Sequence, residues 1–261
     1  MEHPLDHQFT EEQANQEVPQ TDESTETPVY LAPTASASQP ADLDEPADIA
    51  GTSISTRIRY SLRFTGWPNL SQLVTIAVAA AVYTALSYVT ITALPNPALG
   101  VSPLFIAIGF GIPFALWFGG WAFVIAYLGN FIGAGLLSHF PILVSIPFGA
   151  ADFIQLCIPM LLYRLLAPRF GVSSIGKDVF TVRGFIFFLC VAVIPNNIIG
   201  GLYGNLILVV TGQEPGNLFI ASWITWSVTN MIIVAILGSI LLSQLGPVVE
   251  RFGLTVRDLL R

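Results

Sequence analysis

The chain has 261 residues, 53% of them hydrophobic and only 10% charged, where a soluble domain carries about 25% charged residues. Its formal net charge of −7 describes a tail, because twelve of the seventeen Asp and Glu lie before Gly51, and from Gly51 onward ten Lys and Arg stand against five acids. These numbers exclude an ordinary soluble domain, and a nucleic-acid partner with it, since no basic patch stands clear of the apolar segments.

Residues 1–60 form an acidic, Pro/Ser/Thr-rich stretch with almost no periodic apolar positions. It cannot bury enough surface to offset the entropy of ordering, so a disordered cytoplasmic tail is expected. No secretory signal is expected either, because the first apolar run begins only near Leu70. Arg57, Arg59 and Arg63 make a basic collar closed by Trp67 and Pro68.

Six apolar segments follow, near Asn69–Ala93, Ser102–Phe118, Gly119–Leu137, Ile142–Leu166, Gly184–Val210 and Leu218–Leu245. A spanning helix needs about 20 residues. Only Phe118-Gly119-Gly120 separates the second segment from the third. The first stops at Leu94-Pro95-Asn96-Pro97, a loop that could act as a lid. With six spans and the N-terminus inside, all ten Lys and Arg fall on the cytoplasmic side and the external loops have none, as the positive-inside rule requires. Five or seven spans would put one basic cluster outside.

The predicted architecture is therefore an all-α integral membrane protein with six transmembrane helices and both termini cytoplasmic. The membrane domain is expected over residues 61–248. A short cytoplasmic or interfacial segment follows over 249–261, with Leu254–Arg261 as a short interfacial helix.

The chemistry-bearing residues are few. No HExxH, no P-loop and no Ser/His pair at membrane depth occurs, and His139 is the single histidine after the tail. Cys157 and Cys190 read as small buried hydrophobes. Hence no enzyme, no cofactor and no metal site is expected. Asp152 is the one acid expected at membrane depth. A carboxylate there costs about 2.5–3.5 kcal/mol on insertion scales, so it faces a ligand, a proton path or a hydrogen-bonding neighbour helix. Gln155 is one turn on and shares its face.

Asn130, Asn196, Asn197, Asn205 and Asn230 add amides at middle or outer depth, and Trp223, Trp226 and Asn230 make one stripe at i, i+3, i+7. Each Asn alone reads equally as interhelical glue worth about 0.6–2 kcal/mol. Together, Asn130, Asp152, Gln155, Asn197, Trp223, Trp226 and Asn230 are the candidates for an outward-opening ligand pocket. In the first helix, Ala77, Ala81 and Ala85 form a small-xxx-small stripe that lets another helix approach, either within this chain or from another subunit.

Four stretches carry a family resemblance: TIAVAAAVYTALSYV in the first helix, YLGNFIGAGLLSHFPILVSIPFGAADFIQLCIPMLLYRLL across the third and fourth, VIPNNIIGGLYGNLILV in the fifth and WITWSVTNMIIVAILGSILL in the sixth. The chain from roughly Leu70 to Leu245 resembles the substrate-binding S components of energy-coupling factor (ECF) transporters, in rhythm those of the queuosine-precursor type. The resemblance implies a six-helix subunit of the bacterial plasma (inner) membrane that captures a small nutrient, a vitamin or related heterocycle, from outside. It implies partners too: a membrane coupling subunit, docked on Ala77, Ala81 and Ala85, and ATPase subunits. A second resemblance, carried by the Gly-Asn-bearing third helix and the Trp-bearing last helix, is to membrane-associated sensor domains of bacterial histidine kinases and diguanylate cyclases. It implies a ligand-sensing membrane domain whose tail recruits a cytoplasmic partner.

Overall fold

The computed structural model describes residues 60–93 and 104–260. The acidic tail, Arg57 and Arg59 of the collar, the proline-bearing loop considered as a lid, and Arg261 lie outside the described residues. Among the described residues all regular structure is helical. Six helical stretches occur: α1 Leu70–Ala93, α2 Ala107–Phe118, α3 Trp121–Leu136, α4 Ile142–Leu166, α5 Val182–Val210 and α6 Gly216–Arg251. Of these, α1, α4, α5 and α6 are long and apolar enough to cross a membrane, while α2 and α3 are shorter apolar helices. At 12 residues α2 is about 18 Å long, against about 30 Å of bilayer hydrocarbon.

The break between α2 and α3 falls at Gly119, where φ is +57°. That left-handed conformation suits a residue without Cβ, and a Cβ there would meet Arg164 and the carbonyls of Asp258 and Leu259. The sixth helix overruns its expected end at Leu245 and continues to Arg251.

Apolar on all sides, α2 is the central element. Nearly every one of its residues is buried, and α1, α3, α4 and α6 pack against it, as expected for a helix with no polar face. Around it α1 lies beside α3, α3 beside α4, α4 beside α5 and α5 beside α6. The outer faces are apolar as well. On α6, Ile220, Ile224, Val228, Ile232, Ile236 and Ile240 form one exposed stripe. Soluble monomers rarely leave such long apolar strips open, so these helices fit a protein embedded in a membrane.

Four of the helices widen into π turns, at Gly129–Leu136, Pro159–Tyr163, Leu189–Val193 and Val234–Gly238. Two of these adjoin prolines. Pro159 opens the turn in α4, and Pro195 follows the turn in α5. Proline has no N–H for the i−4 carbonyl and its ring crowds that carbonyl, so the ladder opens locally.

One end of the molecule gathers the basic residues and is closed by the C-terminal segment. The interfacial helix expected over Leu254–Arg261 does not form over residues 254–260. The segment is instead an extended strap, because fixed partners take its backbone groups. Val256 N–H donates to Trp117 O (2.7 Å), Leu259 N–H to Arg63 O (2.9 Å), and Ser61 N–H to Arg257 O (2.8 Å). Gln72 and Trp121 donate side-chain N–H groups to Thr255 O (3.0 Å) and Leu260 O (3.0 Å). Arg164, 1% exposed, donates to the carbonyls of Val256 and Asp258 and lies 4.9 Å over the Tyr60 ring. Burial pushes the Tyr60 phenol above its usual range, which keeps it protonated.

The Asp258 carboxylate accepts from the Ser61 and Thr65 hydroxyls, and these bonds hold it below the usual carboxylate range. A carboxyl lowered on folding stabilises the folded form above its unfolded value, and that contribution disappears as pH falls through the lowered value. Acidification below about pH 4 is therefore expected to loosen the strap. The emission of Trp121, whose indole is tied to Leu260, should report it. The transition should be missing in Asp258→Asn, and an identical transition in that variant would assign it elsewhere. Because Asp258 is partly exposed, salt should weaken the effect.

Candidate functional site

The seven pocket candidates divide between two layers and the outer surface. The first layer surrounds a small, open-mouthed cavity lined by Ile91, Phe105, Asn130, Ala134, Phe148, Trp226 and Asn230. Asn130, Trp226 and Asn230 thus come together. The lining residues stand near the last turn of α1, the approach to α2, the middle of α3 and the first half of both α4 and α6. This end of the molecule is the one opposite the strap.

Local structure accounts for these positions. Asn130 sits at the opening of the π turn Gly129–Leu136, and its Nδ2 donates to Phe148 O (2.8 Å) across to α4. Phe148 stands edge-on to Trp226, with centroids 6.2 Å apart, and to Phe140 at 5.6 Å. The Trp226 ring fits because α5 has Gly204 opposite it, where a Cβ would come within 2.8 Å of the indole. Asn230 is 1% exposed, and neither atom of its amide has a partner among the described residues. The Trp226 indole N–H is likewise buried without one.

The second layer lies about a turn deeper and holds Asp152, Gln155 and Asn197. All three are fully buried. Tyr83 of α1 donates its hydroxyl to Asp152 Oδ2 (2.7 Å). The ring reaches it by passing Gly129, where a Cβ would overlap the ring. Asp152 Oδ1 has no partner among the described residues. Gln155 Nε2 donates to Asn197 Oδ1 (3.3 Å), Asn197 Nδ2 to Val193 O (2.7 Å), and Ser227 Oγ to Asn197 O (3.2 Å). This chain ties α4, α5 and α6 together. Gly200 makes room for it, since a Cβ there would fall inside the Gln155 side chain. Of the remaining amides, Asn205 donates back to Gly201 O (2.7 Å) within α5, and Asn196 is buried with neither amide atom partnered among the described residues.

Trp223 belongs to neither layer. It is partly exposed, and its indole N–H donates to Ile198 O (3.0 Å) on α5. Ala77, Ala81 and Ala85 are exposed on the outer face of α1. The face α1 turns inward carries Ile76, Ala79, Tyr83, Ser87 and Thr90 instead. Close approach within the bundle uses glycines of α3, since a Cβ at Gly133 would meet the Thr84 carbonyl.

Sequence reasoning passed over Tyr83, Phe105, Phe148 and Ser227. A signal existed for Tyr83. With Ser87 and Thr90 it makes a hydroxyl-bearing face at i, i+4, i+7, on the side of the helix opposite the alanine stripe. Phe105 and Phe148 carry no signal, because an aromatic residue in an apolar run looks the same whether it faces a cavity, a helix or lipid.

Among the described residues no three His, Cys, Asp or Glu side chains group as a metal site would require. Compared with family models, curated proteins and solved structures, the chain matches none.

Proposed function

We propose that this protein is the substrate-binding subunit of an ECF-type importer, spanning the bacterial plasma membrane six times with both termini in the cytoplasm. It would capture a small nutrient from outside and hand it on with a membrane coupling subunit and ATPase subunits. The observation that carries this reading is the cavity lined by Asn130, Trp226 and Asn230 at the end away from the Arg and Lys residues. By the positive-inside rule that end faces the exterior, so the cavity would open to the medium. The Asn230 amide and the Trp226 indole N–H, buried without partners among the described residues, are costly at about 1–3 kcal/mol each, and a bound molecule would satisfy them.

The outward face of α1 supports the partner side of the proposal. Ala77, Ala81 and Ala85 lie exposed beside Val74, Val78 and Val82, and such a small-residue stripe would suit the close approach of a foreign helix. Because Ala81 is exposed, Ala81→Trp should fold as the parent does. It is expected to retain whatever small molecule co-purifies, identified by mass spectrometry, while losing the membrane and ATPase proteins recovered with it from native membranes. Recovery of those partners at parental levels would remove docking through α1.

A further inference from the structure

We propose that Arg169 and Arg183, where the chain turns back from α4 into α5, hold the phosphodiester of an anionic phospholipid whose chains lie along the apolar outer faces of these two helices. The inference goes beyond nutrient capture and does not depend on it.

Three observations carry it. The first is geometric. The chain turns after α4 at Gly171, where φ is +63°. The atoms nearest to a Cβ built there belong to the Arg183 guanidinium, with Nη1 at 3.5 Å. Arg183 thus reaches back from the first turn of α5 to a glycine two residues after Arg169. Packed rings fix this approach: Phe187 of α5 lies 4.9 Å from Tyr163 and 5.3 Å from Phe170, centroid to centroid.

The second observation is unbalanced charge. Both arginines are exposed, and among the described residues neither has an acidic partner. Glu250 pairs with Lys177 (3.4 Å), and the Asp178 carboxylate accepts from the Ser173 N–H (2.8 Å). A guanidinium is weakly hydrated, and its planar fork matches two phosphate oxygens at once. Basic pockets between helices on the cytoplasmic side suit anionic lipid headgroups for that reason.

The third observation is the apolar surface that adjoins the two charges. Phe170, Phe180 and Val182 are 51%, 61% and 79% exposed. From Val182 an exposed stripe continues along α5 through Ile186, Cys190, Ile194 and Ile198 at i+4 spacing. Leu162 and Leu165 stand exposed near the end of α4. A free phosphate would use none of this surface, whereas a phospholipid would use the charges and the stripe together.

The test is native mass spectrometry of the full chain in detergent, titrated with phosphatidylglycerol or with phosphatidylcholine. The second lipid shares the phosphodiester but carries its own compensating cation. Phosphatidylglycerol is expected to bind about tenfold or more tightly. Arg169→Gln and Arg183→Gln should each erase most of that preference. Arg251→Gln, which removes another exposed arginine at the end of α6, should leave it intact. The arginines replaced are exposed and come from different segments, so misfolding of one variant leaves the other as the test.

Equal losses in all three variants would reduce the preference to diffuse attraction by the basic end and overturn the site. A preference untouched by Arg169→Gln and Arg183→Gln would put the lipid elsewhere. Equal binding of the two lipids by the parent would leave the apolar surface as the whole attraction. Displacement of phosphatidylglycerol by millimolar inorganic phosphate would assign the arginines to a soluble anion. Each of these results would overturn the proposal without touching nutrient capture.

Discussion

Arg164→Ala is expected to lower stability by about 3–5 kcal/mol, the largest effect of any single substitution considered for this protein. Two charge-assisted hydrogen bonds to the strap are lost, each worth about 1.5–3 kcal/mol, along with a cation–π contact worth about 0.5–1 kcal/mol or more. The carbonyls of Val256 and Asp258 lose a donor, and a hole opens beside Gly119. The effects overlap, so their sum is an upper bound. The midpoint of thermal unfolding in detergent should fall by about 10 °C. Cleavage within residues 252–260 should appear at protease levels that leave the parent intact. Arg164→Lys should recover only part of the loss, because an ammonium cannot present the planar fork that reaches two carbonyls at once. A parental midpoint in Arg164→Ala would mean that the backbone bonds of the strap suffice without it.

Tyr83→Phe is expected to cost about 2–3 kcal/mol, because it strips the one hydrogen bond that the described residues offer the Asp152 carboxyl. Asp152→Asn tests the same pair from the other side. The amide keeps an acceptor for the Tyr83 hydroxyl and removes an ionisable group that costs about 2.5–3.5 kcal/mol at membrane depth. This variant should unfold at or above the parental temperature. When Tyr83→Phe is added to Asp152→Asn, it should then cost only about 1 kcal/mol, the ordinary value of a neutral hydrogen bond. Equal costs in both backgrounds would show that Asp152 carries no special electrostatic burden. A stability gain in Asp152→Asn accompanied by loss of uptake would show that the acid is kept for work rather than for folding.

The two substitutions probe opposite ends of what an amino-acid sequence discloses. Tyr83 lies in a helix whose alanines stand out, and only its partner across Gly129 reveals its role. Arg164 reads as one more positive-inside residue at the end of α4, and its membership of a buried latch depends on a strap that follows it by some ninety residues.

The amino-acid sequence by itself determined that the body is helical, where the long apolar helices run to within about six residues, that the basic residues gather at one end, and which polar residues interrupt the apolar helices. Hydropathy and charge carry those facts because every helix must withdraw its backbone and apolar side chains from water, whatever its neighbours. The tertiary structure decided the rest. It made α2 the central element and the C-terminal segment a strap, and it separated Asn130, Trp226 and Asn230, at the cavity, from Asp152, Gln155 and Asn197 beneath it. It also left Trp223 at the surface and the alanine stripe of α1 facing outward. Lipid and protein withdraw a side chain from water equally well, so periodicity reports that a residue is sheltered without reporting by what. Only the helix opposite, and the glycine that lets it come close, decides whether an amide faces a neighbour, a cavity or the bilayer.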